Sequence, residues 1–475
     1  MLFNSYGFIG FFPLICVLYW AIRAIGGAQR TLYFRNMLLL VGSYYFYMCW
    51  QPKYAILLFV STFVTYSAAR LISGSNSQRQ KKAWLTTAIV LNLAILFFYK
   101  YFNFAAETIT SVMSMAGIAI HIPGLDVLLP VGISFYIFQA LGYSIDVYRG
   151  SVPAEKDFFT YALFVSFFPQ LVAGPIERST NLLPQFKEDH KFNYDFAISG
   201  FKLMLWGYFM KLCIADRAAL YVDPVFNNLA SHEGYSTLIA SVLFTIQIYG
   251  DFAGYTFIAI GCGRILGFNL NDNFRRPYFA VSVTDFWRRW HISLSTWLRD
   301  YVYFPLGGSR TTKAKTYRNL LITFGVSGLW HGANWTFVLW GLIHGIAMCV
   351  ERALGYSKKS FQSWNKVLHI VVTLCLINFA WVLFRANTIS DAIIAIHHIF
   401  KPSDFTLVNG IFTAFLVIIA TLVVFVKESV EEFHGNTSSI FQKSFISNYV
   451  WPIFLLICIG LLGVFDGGQF IYFQF

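Results

Sequence analysis

The strongest constraint on this chain is the recurrence of apolar runs from one end to the other. Runs of about 18 residues or more can cross the hydrocarbon core of a bilayer as helices, and they repeat along all 475 residues. In lipid the backbone must satisfy its own hydrogen bonds, and a helix does this within the segment itself. Charged residues make up only 12% of the chain, against about 25% in soluble domains. The sequence therefore predicts an all-α polytopic membrane protein. It forms one membrane-embedded domain over residues 1–475, without internal repeats and with no room for a large soluble domain.

The first run, residues 8–22, leads through Arg23 and Arg30 with no small-residue cleavage site. It is expected to be a first transmembrane helix, not a removed signal peptide. Lys+Arg exceed Asp+Glu by 35 to 23, a net charge of +12. In an aqueous protein that excess would suggest nucleic acid; here it collects in loops, where the positive-inside rule accounts for it, and no nucleic-acid partner is expected. Cys16, Cys49, Cys213, Cys262, Cys349, Cys375 and Cys458 lie in apolar segments without metal-ligand spacing. They imply neither a disulfide framework nor a zinc site.

The same rule places Arg23, Arg30 and Arg35, then Arg79, Lys81 and Lys82, in cytoplasmic loops, with the N-terminus outside. The run near 84–99 goes out, residues 104–129 stay at the outer face, broken by Gly117, Pro123 and Gly124, and 129–147 returns. Residues 158–172 are apolar yet end in the cytoplasmic-looking Ala173-Gly174-Pro175-Ile176-Glu177-Arg178, so they read as re-entrant. Runs near 197–214 and 237–260 form an out-and-back pair, and the basic stretch 263–318 is cytoplasmic or interfacial. Residues 320–350 are too long for one crossing and break at Gly332-Ala333-Asn334, which predicts a hairpin with His331 near its apex. Arg352, Lys358 and Lys359 then lie inside, and runs near 368–383, 411–426 and 450–464 leave residues 466–475 as an extracytoplasmic aromatic tail.

Two segments concentrate the chemistry: Asp285-Phe286-Trp287-Arg288-Arg289-Trp290-His291 and Trp330-His331-Gly332-Ala333-Asn334-Trp335. A lone intramembrane histidine is ordinarily packed in a helix interface, but a pair with charged neighbours points to a functional site, and imidazole suits proton transfer near neutral pH. Read as one helix, residues 285–301 carry an apolar stripe, Phe286, Trp290, Leu294, Trp297 and Tyr301, beside a polar one, Arg288, His291, Ser295 and Arg299. Such a helix is expected in the interface plane, its polar stripe facing a cytoplasmic mouth. Arg289 and Arg299 read equally well as lipid-phosphate anchors, whereas Arg288 and His291 favour a phosphate-bearing substrate, which a guanidinium recognises through its fork.

His331 is the candidate base for moving an acyl group from a thioester to a hydroxyl, with Trp330 and Trp335 drying a narrow tunnel and Asn334 either a turn residue or an oxyanion donor. Asp251, in an apolar run beside Gly250 and Gly254, must pair: it either orients a histidine or substrate or bonds a motif arginine. Asp285 is expected to cap its helix. Gly261-Cys262-Gly263 with Gly267 reads as helix packing and a C-terminal cap, not a dinucleotide loop. No Gly-x-Ser-x-Gly elbow occurs.

The run from Phe286 through Trp290-His291 to Trp297, Arg299 and Tyr301, with Pro305-Leu306-Gly307-Gly308, the Trp330 to Trp335 segment and the stretch Val172 to Arg178, resembles the membrane-bound O-acyltransferase family. The likeness spans nearly the whole chain. It is nearest to the branch containing alginate O-acetyltransferase and the teichoic-acid D-alanyltransferase. The resemblance implies a ring of roughly 11 tilted transmembrane helices, with re-entrant segments, around a central funnel. It also implies an active-site histidine at His331, a second motif histidine at His291 and a place in the bacterial inner membrane. Acetyl-CoA is the expected cytoplasmic donor substrate, with no tightly bound cofactor. The acetyl group is expected to cross the membrane and reach a polysaccharide through an extracytoplasmic SGNH-like transferase.

The tail reads as an aromatic belt at the outer interface. Its Phe470-Ile471-Tyr472-Phe473 also resembles the C-terminal motif of the small peptide that partners the teichoic-acid D-alanyltransferase, which implies Tyr472 as a transient acyl carrier, with Gly467-Gly468 as a hinge. The competing readings are a polysaccharide or lipid-linked sugar transporter, for which intramembrane charge is also suited, and a lipid or protein acyltransferase of the same family.

Overall fold

A computed structural model describes the chain except for residues 26–27, 173, 357–363, 403–407, 409, 435–444, 466–469 and 472–475. Ala173, Lys358, Lys359, Gly467, Gly468, Tyr472 and Phe473, all named above from the sequence, therefore lie outside the described residues. Among those described the protein is all-helical, without strands. Among the described residues eight helices are long and apolar enough to cross a membrane: Tyr6–Ala24, Pro52–Gly74, Gln78–Met115, Tyr194–Phe226, Tyr235–Ile265, Trp335–Ala353, Asn365–Arg385 and Thr413–Phe433. The chain divides into two compact units, one of residues 1–201 with 259–271, the other of 202–258 with 272–475.

In the first unit the expected break after Tyr99 does not occur. The helix runs on through a π turn, Phe97–Tyr101, to Met115. Nothing before Gly117 is a strong stop signal; Gly117 adopts φ +76° and Ile118 N–H closes onto the Met113 carbonyl at 2.9 Å, a helix C-cap. Arg35 is not a loop charge. It lies within the helix Ala28–Met48, fully buried, its guanidinium 3.2 Å from Asp189 Oδ1 and 3.9 Å over the Tyr19 ring.

Residues 158–172 form two helices, Phe158–Ser166 and Phe168–Leu171. Nine residues rise about 13 Å, far short of the ~30 Å core, so the segment does not span. Asp157 caps its start by accepting from Phe159 N–H and Thr160 N–H. Gln170 Nε2 donates to the Phe164 carbonyl at 2.7 Å, and Phe168 N–H donates to Ser43 Oγ at 3.0 Å. These partners satisfy polar groups of the irregular, buried backbone, as lipid or protein surroundings without water require.

In the second unit the helices through residues 202–226 and 235–258 meet at glycines. A Cβ at Gly254 would lie 2.8 Å from the Gly207 carbonyl oxygen, and one at Gly207 would lie 2.5 Å from that of Gly254. Such small-residue seams allow close helix approach in membranes. The hairpin forms as expected, Lys313–His331 turning into Trp335–Ala353. Its arms are pressed together at Gly328 and Gly341, where a Cβ would strike the Phe337 and Phe324 carbonyls at 2.3 and 2.2 Å.

The helix expected over 285–301 is instead two short helices, Val283–Arg289 and Ile292–Leu298, followed by a π turn, Arg299–Tyr303. His291 interrupts them at φ 42°, ψ 54°, a left-handed conformation that costs a non-glycine residue about 1–2 kcal/mol. The apolar stripe faces protein, not headgroups: Phe286, Trp290, Leu294 and Trp297 are buried. Ser282, not Asp285, is the N-cap, accepting from Asp285 N–H; Asp285 binds back to Val281 N–H and pairs with Arg289 at 3.0 Å.

Candidate active site

His331 is the last residue of the first hairpin arm, where the end of a helix favours positive charge. Its ring lies 6.3 Å from that of His291, centroid to centroid, and 4.9 and 5.6 Å from Trp340 and Phe384. Both histidines are buried, and Trp340 in turn packs at 5.6 Å on Trp381. Burial among such rings strengthens electrostatic effects on a charged group.

Asn273 builds the left-handed turn that holds His291. Its carbonyl accepts from Ile292 N–H at 3.0 Å, and its Oδ1 accepts from Ser293 N–H and Oγ at 3.1 and 2.9 Å. His291 Nδ1 lies 3.1 Å from the same Oδ1. An amide oxygen only accepts, so Nδ1 carries the proton and Nε2 is the basic nitrogen. Phe252 packs edge-on against this ring at 4.6 Å.

A third histidine escaped the sequence reading. His344, buried in the second hairpin arm, accepts from Trp287 Nε1–H through Nδ1 at 3.3 Å and packs 4.9 Å from Trp340. It thereby joins the helix before His291 to the hairpin of His331. Glu351, at the far end of that arm, accepts from Thr284 N–H and Oγ1 at 2.9 and 2.7 Å. The available signal was a further intramembrane polar residue at Gly341-Leu342-Ile343-His344-Gly345.

The other candidates disperse. Trp330 is buried, but Trp335 is exposed, and Trp340, Trp381 and Phe384 form the wall beside His331 instead. Asn334 is committed to structure: its Oδ1 accepts from Thr336 N–H at 3.1 Å as the N-cap, and its Nδ2 donates to the Asn387 carbonyl at 2.7 Å. Arg288 and Arg299 are exposed, the latter paired with Asp300 at 2.8 Å, and Ser295 Oγ donates to the Trp290 carbonyl at 3.3 Å. The break at His291 is what separates this stripe. Arg289 is held by Glu432 at 2.9 Å as well as by Asp285. Asp251 pairs with Lys211 and not with a motif arginine. Phe470 and Ile471 are buried in this unit and do not form an interfacial belt, Phe470 lying 5.8 Å from Phe252.

Burial depresses the His291 imidazole, which lies outside the eight apolar spans, to about 3 from an ordinary 6.5. Between those values the unfolded chain binds more protons than the native one. The stability contribution is therefore present above about 6.5 and lost as the pH falls toward 3. Thermal unfolding of the detergent-solubilised protein is expected to move to lower temperature from pH 7 to 4, and His291→Gln to flatten that slope; an equal slope in the variant excludes this origin.

Two buried histidines walled by aromatic rings, in a polytopic helical protein, make up the candidate site. The chain belongs to the membrane-bound O-acyltransferase family, whose profile matches residues 154–390. It is 40% identical over 395 residues to a probable alginate O-acetylase AlgI of Pseudomonas syringae pv. tomato, covering 82% of this chain and 74% of that protein. Over 421 residues it is 36% identical to a peptidoglycan O-acetyltransferase of Helicobacter pylori, covering 83% and 78%. A teichoic acid D-alanyltransferase of Bacillus subtilis is 26% identical over 338 residues, covering 67% and 82%. The eight apolar helices and this bacterial branch make it a multi-pass protein of the bacterial cell membrane.

Proposed function

We propose that this membrane O-acyltransferase takes an acetyl group from cytoplasmic acetyl-CoA and passes it across the membrane for O-acetylation of an extracytoplasmic polysaccharide. The observation that carries the reading is the buried pairing of His331 with His291 at the break of the hairpin. His331 takes the proton of the attacking hydroxyl as its oxygen bonds to the thioester carbonyl carbon. Collapse of the tetrahedral intermediate breaks the C–S bond, and the imidazolium returns its proton to the departing thiolate. The products are an ester and the CoA thiol. His291, fixed by Asn273, orients the reacting groups through Nε2.

The names of the alginate and peptidoglycan relatives support a polysaccharide as final acceptor. The first acceptor in this proposal is the phenol of Tyr472. Burial of the neighbouring Phe470 and Ile471, with Phe470 beside Phe252, itself against His291, supports that assignment. A phenol with a pKa near 10 leaves its ester more activated than an alkyl ester, ready for a second transfer by an extracytoplasmic SGNH-like partner. Acetylation of polymer to full extent by this chain alone in reconstituted vesicles would remove that partner.

The test is sided. Labelled acetyl-CoA presented to the cytoplasmic face of sealed vesicles is expected to support turnover, and turnover from the outer face alone rejects the proposed direction. Arg288, exposed ahead of the His291 turn, is assigned to the donor phosphates. Arg288→Ala should raise the KM for acetyl-CoA about tenfold with kcat little changed, since it removes binding more than chemistry; a fall in kcat at constant KM contradicts this role.

A further inference from the structure

The C-terminal segment is tied to the second unit at three backbone points. Arg217 donates to the Leu462 carbonyl from Nε and Nη2 at 2.8 and 2.6 Å, and Val464 N–H donates to the Leu212 carbonyl at 3.1 Å. Seven residues on, Ile471 N–H donates to Asp251 Oδ2 at 2.6 Å. Leu212 lies in a π turn, Phe209–Ala215, a distortion that occurs mostly where a helix serves a site. The same turn carries Lys211, which is buried and bridges Asp251 and Asp216, the latter at 2.7 Å. Close approach at Gly250 and Gly254 permits this reach: a Cβ at Gly250 would lie 3.0 Å from the Met210 carbonyl oxygen.

A buried ion pair is a poor stabiliser, because packed apolar residues commonly do as well. What this one does is divide the Asp251 carboxylate: one oxygen faces Lys211 and the other holds the tail. We propose that the Lys211–Asp251 pair is a latch for the chain's own C-terminal segment, with Asp251 a positioning residue. It clamps the backbone at Ile471 so that Phe470 seats against Tyr255 and Phe252, at 4.7 and 5.8 Å, one ring away from His291. The positioning role rests on the carrier reading of the tail above, whereas the latch itself is a matter of binding.

Hydrogen exchange on the full-length protein in detergent separates the two. A peptide containing Phe470 and Ile471 is expected to be protected in the parent and to exchange at least about tenfold faster in Asp251→Ala, the effect of losing one hydrogen bond to a charged acceptor. Ile471→Pro removes the donor, together with the buried side chain and the freedom of φ, but leaves the buried ion pair intact; it should expose the segment equally, while Ile471→Val, which keeps the donor, should not. Unchanged exchange in Ile471→Pro overturns the latch. Release of the segment should lower kcat for polymer acetylation about tenfold with the KM for acetyl-CoA unchanged. A released segment with undiminished kcat overturns the positioning role, and normal acetylation by Tyr472→Phe would reject the carrier without altering the exchange result.

Discussion

His331→Ala is expected to lower acetyl transfer by about 10²–10⁴-fold, the usual contribution of a positioned general base, in protein that still inserts and folds. Folding should survive because the hairpin is held by glycine contacts at Gly328 and Gly341 and by the Asn334 cap, none of which involves the imidazole. His331→Gln fills nearly the same space between Trp340 and Phe384 yet cannot take the proton, so it should be equally inactive. Its thermal unfolding, measured beside the parent, separates lost chemistry from lost structure. Transfer of labelled acetyl at the parent rate by either purified variant refutes the assignment. His291→Ala should be less severe, because the proposed task of that ring is orientation.

The second large effect belongs to Tyr472. Tyr472→Phe keeps an aromatic ring in the motif and deletes one hydroxyl, so acetylation of the polymer in cells should fall to background while the protein remains in the membrane. An ester on Tyr472 should be trapped by rapid acid quench and identified by peptide mass. A Tyr472→Phe strain that acetylates its polymer normally eliminates the carrier and leaves the His331 base untouched. The pair of variants therefore divides the reaction into proton removal and acyl relay.

Much of this was legible beforehand because the signals are local. The break at Gly332-Ala333-Asn334 shows in the sequence as a helix stop and an N-cap within three residues, and the hairpin followed. Gly267 likewise ends its helix at φ +94°, with Phe268 N–H on the Gly263 carbonyl at 2.8 Å. The stripe of Phe286, Trp290, Leu294 and Trp297 suggested a face toward headgroups, yet it is buried in protein, and helical spacing that persists across the turn at His291 concealed the break. Periodicity records which side chains are apolar. It does not record a left-handed residue held by Asn273, eighteen positions upstream.

The sequence by itself determined that the chain is a polytopic helical membrane protein and where its hairpin turns, and it singled out His291 and His331 as candidates. Hydropathy over a helix length and backbone sterics over a few residues suffice for that. Only the tertiary structure decided that the two rings lie 6.3 Å apart, that His344 joins their supports through Trp287, and that Arg288 and Arg299 do not share a face with His291. It also decided that Asp251 takes Lys211 and the Ile471 amide as partners, across 40 and 220 residues. Buried polar groups must be paired at membrane depth, but pattern does not name the partner, because that choice is made by packing between segments far apart in the chain.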